Sequence, residues 1–263
     1  MDFDERWTNK VFPFLNPNTL KRMTLFEDST EAHDPCNKLY IWGLIALFFT
    51  NYQIGDPEPA WVSNYQNIRK PRTVSAQLAR ALAEASLGLE HLSISFMTDA
   101  RIFWTSLRED WVWEQLQTLA LTSQDLQPDV DSSKIKDVLC SAARAAKKMP
   151  KLQTMEIWNG GKGYAALFRY SIERGRRQAG ISWKANWHFE LEGLVVKEWQ
   201  DVADANDVGY LKTESELLML TPSQIRSHGE AILILELKIE VACPVSIQQM
   251  HREHTEMEHL LSS

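Results

Sequence analysis

Along the chain the apolar positions repeat one phrase: an apolar residue, two open positions, a second apolar residue, one open position and a third. The clearest copy is Leu152, Met155 and Ile157, which closes on the polar corner Asn159 and Gly160. Five more triplets follow the same order: Leu20, Met23 and Leu25; Leu89, Leu92 and Ile94; Leu116, Leu119 and Leu121; Leu191, Leu194 and Val196; Ile232, Leu235 and Leu237. This order is the strand phrase of a leucine-rich repeat. From Leu89 onward the copies step by 27, 36, 39 and 41 residues. A unit of one strand and one helix cannot bury its own apolar face, so successive units must stack. The pattern therefore predicts an α/β fold of one domain over residues 1–263. It is an irregular leucine-rich-repeat-like solenoid, with parallel strands on the concave side and helices on the convex side.

Between the strand phrases the apolar spacing changes to the helical period. Leu78, Ala81, Leu82 and Ala85 mark a helix over 74–87 that ends at Gly88. A return helix is expected over 99–107. Ser132 stands as the N-cap of another, running to Met149, with Ile135, Val138, Leu139, Ala142 and Ala146 on its buried face. Residues 39–49 are apolar but too few for a membrane span, which takes about 20, and read as a buried helix. Residues 51–73, rich in Pro, Asn and Gln, read as a long loop. Residues 164–169, 181–189 and 194–199 read as strands, the first two paired as a hairpin around the basic stretch 173–180. Thr221 followed by Pro222 marks a helix start. His228, before Gly229, is placed at a helix end, and the sixth triplet reads either as a strand or as a buried helix. Residues 245–261 form a charged amphipathic helix.

Strand alternation then sorts the candidate chemistry. If Leu119 and Leu121 point inward, the residues between them face outward. Applied to every copy, this puts Thr24 and Phe26, Ser93 and Ser95, Ala120 and Thr122, Glu156 and Trp158, and Val195 and Lys197 on the concave face. Such a mixed polar and aromatic face suits a binding groove, or an ordinary hydrated surface. The candidate binding residues are Phe26, Ser95, Thr122, Trp158 and Asn159, with Arg101 and Arg169 as anion partners and Trp187 from the Trp-rich segment. The acid/base candidates are Glu156, Asp99 and His228, since proton transfer needs one such group placed against substrate. Each has a structural reading beside it. Glu156 can be a carboxylate bonded to backbone or to an arginine, Asp99 a helix cap, and His228 a partner for terminal carbonyls.

Composition narrows the classes. Hydrophobic residues are 44% and charged residues 24%, a globular balance. The formal charge of -7 argues against a general affinity for nucleic-acid phosphates. Ten tryptophans supply large apolar area, for a core or for a groove. The three cysteines, Cys36, Cys140 and Cys243, make neither a disulfide framework nor a metal pair, which fits a reducing, intracellular, cytoplasmic setting. Residues 159–163 lack the Walker order. His251, His254 and Glu258 lack the spacing of a helical zinc site, so no metal and no cofactor is expected. The partner is a protein or an apolar small molecule, with no membrane span and with the oligomeric state open.

The phrases LKRMTLFED, LEHLSISFMTDAR, LQTLALTS, MPKLQTMEIWNG, FRYS, ISWKANWHFEL and IRSHGEAILIL resemble a fungal domain of unknown function found behind an F-box. The resemblance spans residues 10–255. It implies a leucine-rich-repeat-like fold and a role in selecting substrates for ubiquitin ligation. The repeat begins by Leu20, with no room before it for an F-box, so the expectation is either a fragment or a domain that works alone. Two functions follow as expectations. One is a recognition domain that binds a protein or small ligand on its concave face. The other is a cofactor-free isomerase or cyclase of fungal secondary metabolism, working by acid/base catalysis in a Trp-lined pocket.

Overall fold

The inward-pointing triplets do stack. In a computed structural model, which describes residues 20–27, 75–173, 178–191, 193–248 and 250, the first four phrases become β1 (Arg22–Phe26), β2 (His91–Ser95), β3 (Thr118–Thr122) and β4 (Thr154–Gly161). These strands pair in parallel and in register. Met23, Leu92, Leu119 and Met155 form one row, and Leu25, Ile94, Leu121 and Ile157 the next. All eight side chains are buried, each worth about 1.5–3 kcal/mol relative to exposure.

Helices return the chain from one strand to the next on the side of these rows: α1 (Ala76–Ala85), α2 (Ala100–Thr105) and α3 (Ser132–Ala146). Their caps are local. The Ser75 side chain accepts from the Leu78 N–H, and the Asp99 side chain from Arg101 N–H. Helix α3 is capped by Asp131 rather than by Ser132: the Asp131 carboxylate accepts from the Ser133 N–H at 2.8 Å. That bond holds the Asp131 carboxyl below the usual carboxylate range.

After β4 the parallel order stops. The chain turns within Lys162–Gly163, where Gly163 takes φ 91°, a backbone setting open to glycine at little cost. A turn this tight has no room for a crossover helix, so β5 (Tyr164–Glu173) must return antiparallel. Strand β6 (Gln178–Ala185) then pairs antiparallel with β5, completing the expected hairpin. The last strand, β7 (Leu211–Leu217), is one the apolar phrase did not mark; it pairs in parallel with β6. The result is a mixed seven-stranded sheet in chain order, in place of an all-parallel array.

The fifth and sixth triplets are helices. Residues 194–199, expected as a strand with Val195 and Lys197 on the concave face, open α4 (Leu194–Ala205) instead. Val195, Trp199, Val202 and Ala203 are its buried residues, an i, i+4, i+7, i+8 stripe that a strand would split between two faces. Ile232 and Leu235 belong to α5 (His228–Leu235), the buried-helix alternative. His228 accordingly sits at the start of a helix, not at its end, behind the cap Ser227. Thr221 and Pro222 do start a turn of helix, a short 3-10 segment with Gln224 completing a capping box.

Helix α5 lies on the face opposite α1–α4, so helices cover both sides of the sheet. On the α1–α4 side a continuous core runs from Met23 to Leu211. On the other side a smaller core joins Phe26, Ala120, Trp158 and Leu167 to Ala231, Ile232, Leu235, Val241 and Met250. Among the described residues no helix is long and apolar enough to cross a membrane. The expected helix over 39–49 and the loop over 51–73 lie outside those residues. So does most of the expected tail helix, of which only the start, from Pro244, is described.

Candidate functional site

Alternation places the expected face where the sequence puts it, and the fold then covers it. Phe26, Ser95, Thr122 and Trp158 occupy one row across β1–β4, next to the row of Thr24, Ser93, Ala120 and Glu156. All but Thr24 are buried. The expectation of an open concave groove over this stretch is therefore corrected, for a physical reason. A face carrying Phe26 and Trp158 exposes too much apolar area to stand bare, and α5 with residues 236–242 lies over it.

Glu156 is the clamp for that cover. It is 0% exposed. Its Oε1 accepts from Arg169 Nε at 2.6 Å and from the Lys238 backbone N–H at 3.0 Å. Its Oε2 accepts from the Ile239 N–H at 3.0 Å. Arg169, cross-strand from Glu156, also donates to the Glu236 carbonyl at 2.7 Å. Glu236 itself sits at φ 53°, and its carboxylate pairs with Lys184 at 2.9 Å. A buried carboxylate with an ion pair and two amide donors is fully employed. Its geometry is that of a fastener between the sheet and the covering segment.

An aromatic group closes the strand-end side of the same face. Phe96, which follows β2, has φ 63°, rare for a bulky residue. This backbone setting is held by a 2.7 Å bond from its N–H to Thr122 Oγ1. Its ring meets Phe26 at 5.6 Å, Trp158 at 5.3 Å and His228 at 5.4 Å between centroids. His228 Nε2 lies 3.2 Å from Met250 Sδ. The sequence reading missed Phe96; no spacing signal marks a residue that leaves the strand by a left-handed turn.

Asp99 and Arg101 lie past the end of β2, at the start of α2, and Asn159 lies within β4 opposite Ala166, one position beyond Trp158 and so on the other face of the sheet. Asp99 Oδ1 accepts from Arg101 N–H at 2.8 Å and Oδ2 from Gln124 N–H at 2.7 Å, tying α2 to the loop after β3. Asn159 Oδ1 accepts from the Gly160 N–H. The Arg101 guanidinium pairs with Asp125, Nε to Oδ2 at 3.2 Å. Burial pushes the Asp125 carboxyl above the usual range; Arg101 works against that shift and Asp99 adds to it.

Trp187 stands apart from all of these. It packs on Trp183 at 5.8 Å on the α1–α4 side of the sheet, where Trp183 also meets Phe189 at 4.6 Å. Trp199 packs at a tilt against Tyr170 at 4.8 Å and Phe168 at 5.2 Å between centroids. Burial pushes the Tyr170 hydroxyl well above its ordinary range. These rings touch one another as core. Among the described residues no group of three or more His, Cys, Asp or Glu is placed to hold a metal, and His251, His254 and Glu258 lie outside them. Cys140 and Cys243 are free thiols.

Residues 15–243 match the profile of a family of unknown function (DUF6546). No curated protein and no solved structure matches the chain.

Proposed function

Because the chain belongs to the DUF6546 family of unknown function, whose name assigns no chemistry, we propose its role from geometry: a recognition domain of the F-box-associated, leucine-rich-repeat-like kind. It binds a protein or small ligand on the α5 side of the sheet, over the segment that covers Phe26, Ser95, Thr122 and Trp158 rather than on those buried side chains. The observation that carries this reading is the state of Glu156. The best-placed proton-transfer group on that face is committed to Arg169 and to two backbone amides, which fix the covering segment on the sheet and leave that group no proton to move. The four parallel strands in register support the repeat character of the N-terminal half. Under this reading the domain selects what a ligase then modifies.

The test is hydrogen–deuterium exchange of the full chain, alone and with binders found by a thermal-shift screen of neutral small molecules and peptides. Protection is expected over 91–96, 118–123 and 225–242. Protection confined to α1–α4 overturns the reading.

A second reading, a cofactor-free isomerase or cyclase of fungal secondary metabolism, is favoured by Asp125. A carboxyl held above its ordinary range by burial, beside Arg101, is a usable general acid. The genes flanking the coding sequence separate the two: a biosynthetic cluster favours catalysis. With a substrate from such a cluster, Asp125→Asn should abolish turnover, and retained turnover removes Asp125.

A further inference from the structure

The strands at the two ends of the sheet differ. β1 is five residues long and buries Met23, Leu25 and Phe26. β7 is seven residues long, exposed from Lys212 to Leu217, and free of proline. Its bonds to β6 fix which backbone groups it turns outward. Leu217 stands opposite Ala185, and the next amide, the Leu218 N–H, donates to the Ala185 carbonyl at 2.7 Å. Residues of an edge strand bond to their one neighbour alternately. Lys212, Glu214 and Glu216 therefore turn their N–H and C=O toward β6, and Leu211, Thr213, Ser215 and Leu217 turn theirs away. Gln200 closes the start of this outer edge: its Oε1 accepts from the Leu211 N–H at 3.2 Å, and its Nε2 donates to the Gly209 carbonyl at 2.9 Å. Among the described residues, the N–H groups of Thr213, Ser215 and Leu217 have no partner.

A row of unpaired amides on an exposed strand is a template for another strand, and the side chains decide which strand fits. A second copy of the chain can pair with it antiparallel about a two-fold axis, the symmetry that closes a dimer. The outward amides must face one another, so an axis near the middle of the strand passes by Thr213, Glu214 or Ser215. An axis at Ser215 sets Glu214 against the partner's Glu216. An axis at Glu214 sets that carboxylate against its own image. Like charges directly opposite are destabilising. An axis at Thr213 instead sets Lys212 against the partner's Glu214 on both sides, with Thr213 against the partner's Thr213, and both kinds of cross-strand pair are stabilising. Lys212 and Glu214 are already joined within the strand, and Glu216 is held by Lys184 of β6 at 3.5 Å.

We propose that the outer edge of β7 is a self-association surface, on which a second copy of this chain adds its own β7 antiparallel in the register centred on Thr213. Each Thr213 N–H donates to the carbonyl of the partner's Thr213, and each Ser215 N–H to the carbonyl of the partner's Leu211. The two seven-stranded sheets become one. The charges on the edge act as a selector that admits this register and rejects its neighbours. An interface built on one pair of strands is small, so the dimer is weak and depends on concentration.

The experiment is sedimentation equilibrium of the full chain over a range of concentrations. The mass is expected to rise from one chain to two, and a single chain at every concentration up to about 1 mM overturns the proposal. Thr213→Pro removes an N–H that points away from β6, a change an edge strand tolerates. It should hold the chain monomeric, and its melting temperature checks the fold. Lys212→Glu and Glu214→Lys should each weaken association about tenfold, since each turns both attractive pairs into repulsive ones. An equimolar mixture of these two variants should associate as tightly as wild type, because every opposed pair is again lysine on glutamate. If Thr213→Pro melts early, the mixture decides alone. A dimer that survives Thr213→Pro forms on another surface, and a mixture as weak as its parts has another register; either result overturns the proposal. A chain that stays monomeric while an extended peptide protects the Thr213 and Ser215 amides from exchange assigns the edge to a foreign strand, and self-pairing falls.

Discussion

The two faces of the sheet are held by different physics. On the α1–α4 side the same row positions are apolar in strand after strand, and the helices that cover them are close in sequence to the strands they pack on. On the α5 side the rows alternate hydroxyl, aromatic and charge, and the cover comes from residues 225–250, far along the chain. The first face needs only burial. The second adds a polar fastener, Glu156, which ties its apolar cover to the sheet through Arg169 and the Lys238 and Ile239 amides. A non-directional force tolerates substitution by degrees, whereas a buried ion pair fails sharply when one partner is lost.

The largest expected effect therefore comes from Glu156→Ala. It strands the Arg169 charge and two amides, at a cost of about 4 kcal/mol by the usual penalty for breaking a buried pair, measured by urea unfolding. Native-state exchange should then show the Lys238 and Ile239 amides opening. The Trp113 and Trp199 indole N–H groups, bonded to Ser86 and to the Leu139 carbonyl, should stay protected. A loss below about 1 kcal/mol, within the range of an exposed pair, would erase the contrast between the faces.

Gly160→Ala probes the second face without touching charge. A Cβ there would come within 2.1 Å of the Ala231 Cβ, so α5 must shift off β4. Overpacking of this kind costs about 2 kcal/mol, and a melting temperature equal to wild type would mean that α5 is loosely seated. Asp99→Ala should cost about 1 kcal/mol, the value of a helix cap, because it frees the Arg101 and Gln124 N–H groups. A neutral result would show that water replaces Asp99 at the strand ends.

The smallest effect is one of pH. Burial holds the His91 imidazole below its ordinary value of 6.5, and Arg22 adds to this, with Glu90 opposing. The unfolded chain then binds the proton at a higher pH than the folded one. Stability attributable to His91 is present above 6.5 and falls as pH drops through the folded value. His91→Gln should flatten the acid limb of a stability profile, and an unchanged limb assigns it to other groups.

Local pattern reached a long way into this protein. The four parallel strands, their inward rows and the helices α1 and α3 follow from period alone, and so does the shared face of Glu156 and Trp158. The strand period of two leaves no other arrangement once Met155 and Ile157 are buried. The fifth and sixth triplets show where period fails. An L-x-x-L-x-L phrase satisfies a short helix as well as a strand, and only packing of Trp199, Val202 and Ala203 against the core settles α4. β7 carries mostly exposed residues, polar or charged but for Leu211 and Leu217, so it has no apolar signal; its strand form depends on the edge offered by β6.

The site divides in the same way. Residue type and alternation named Phe26, Ser95, Thr122, Trp158 and Glu156 as one face. Whether that face meets solvent was decided by bonds between Glu156 and the amides of Lys238 and Ile239, 82 and 83 positions along the chain. Backbone amides have no side-chain identity, so no sequence pattern announces them as partners. What the sequence determined by itself is which side chains share a face, because that is local geometry. What only the tertiary structure decided is what covers them, because that depends on a distant segment finding one carboxylate.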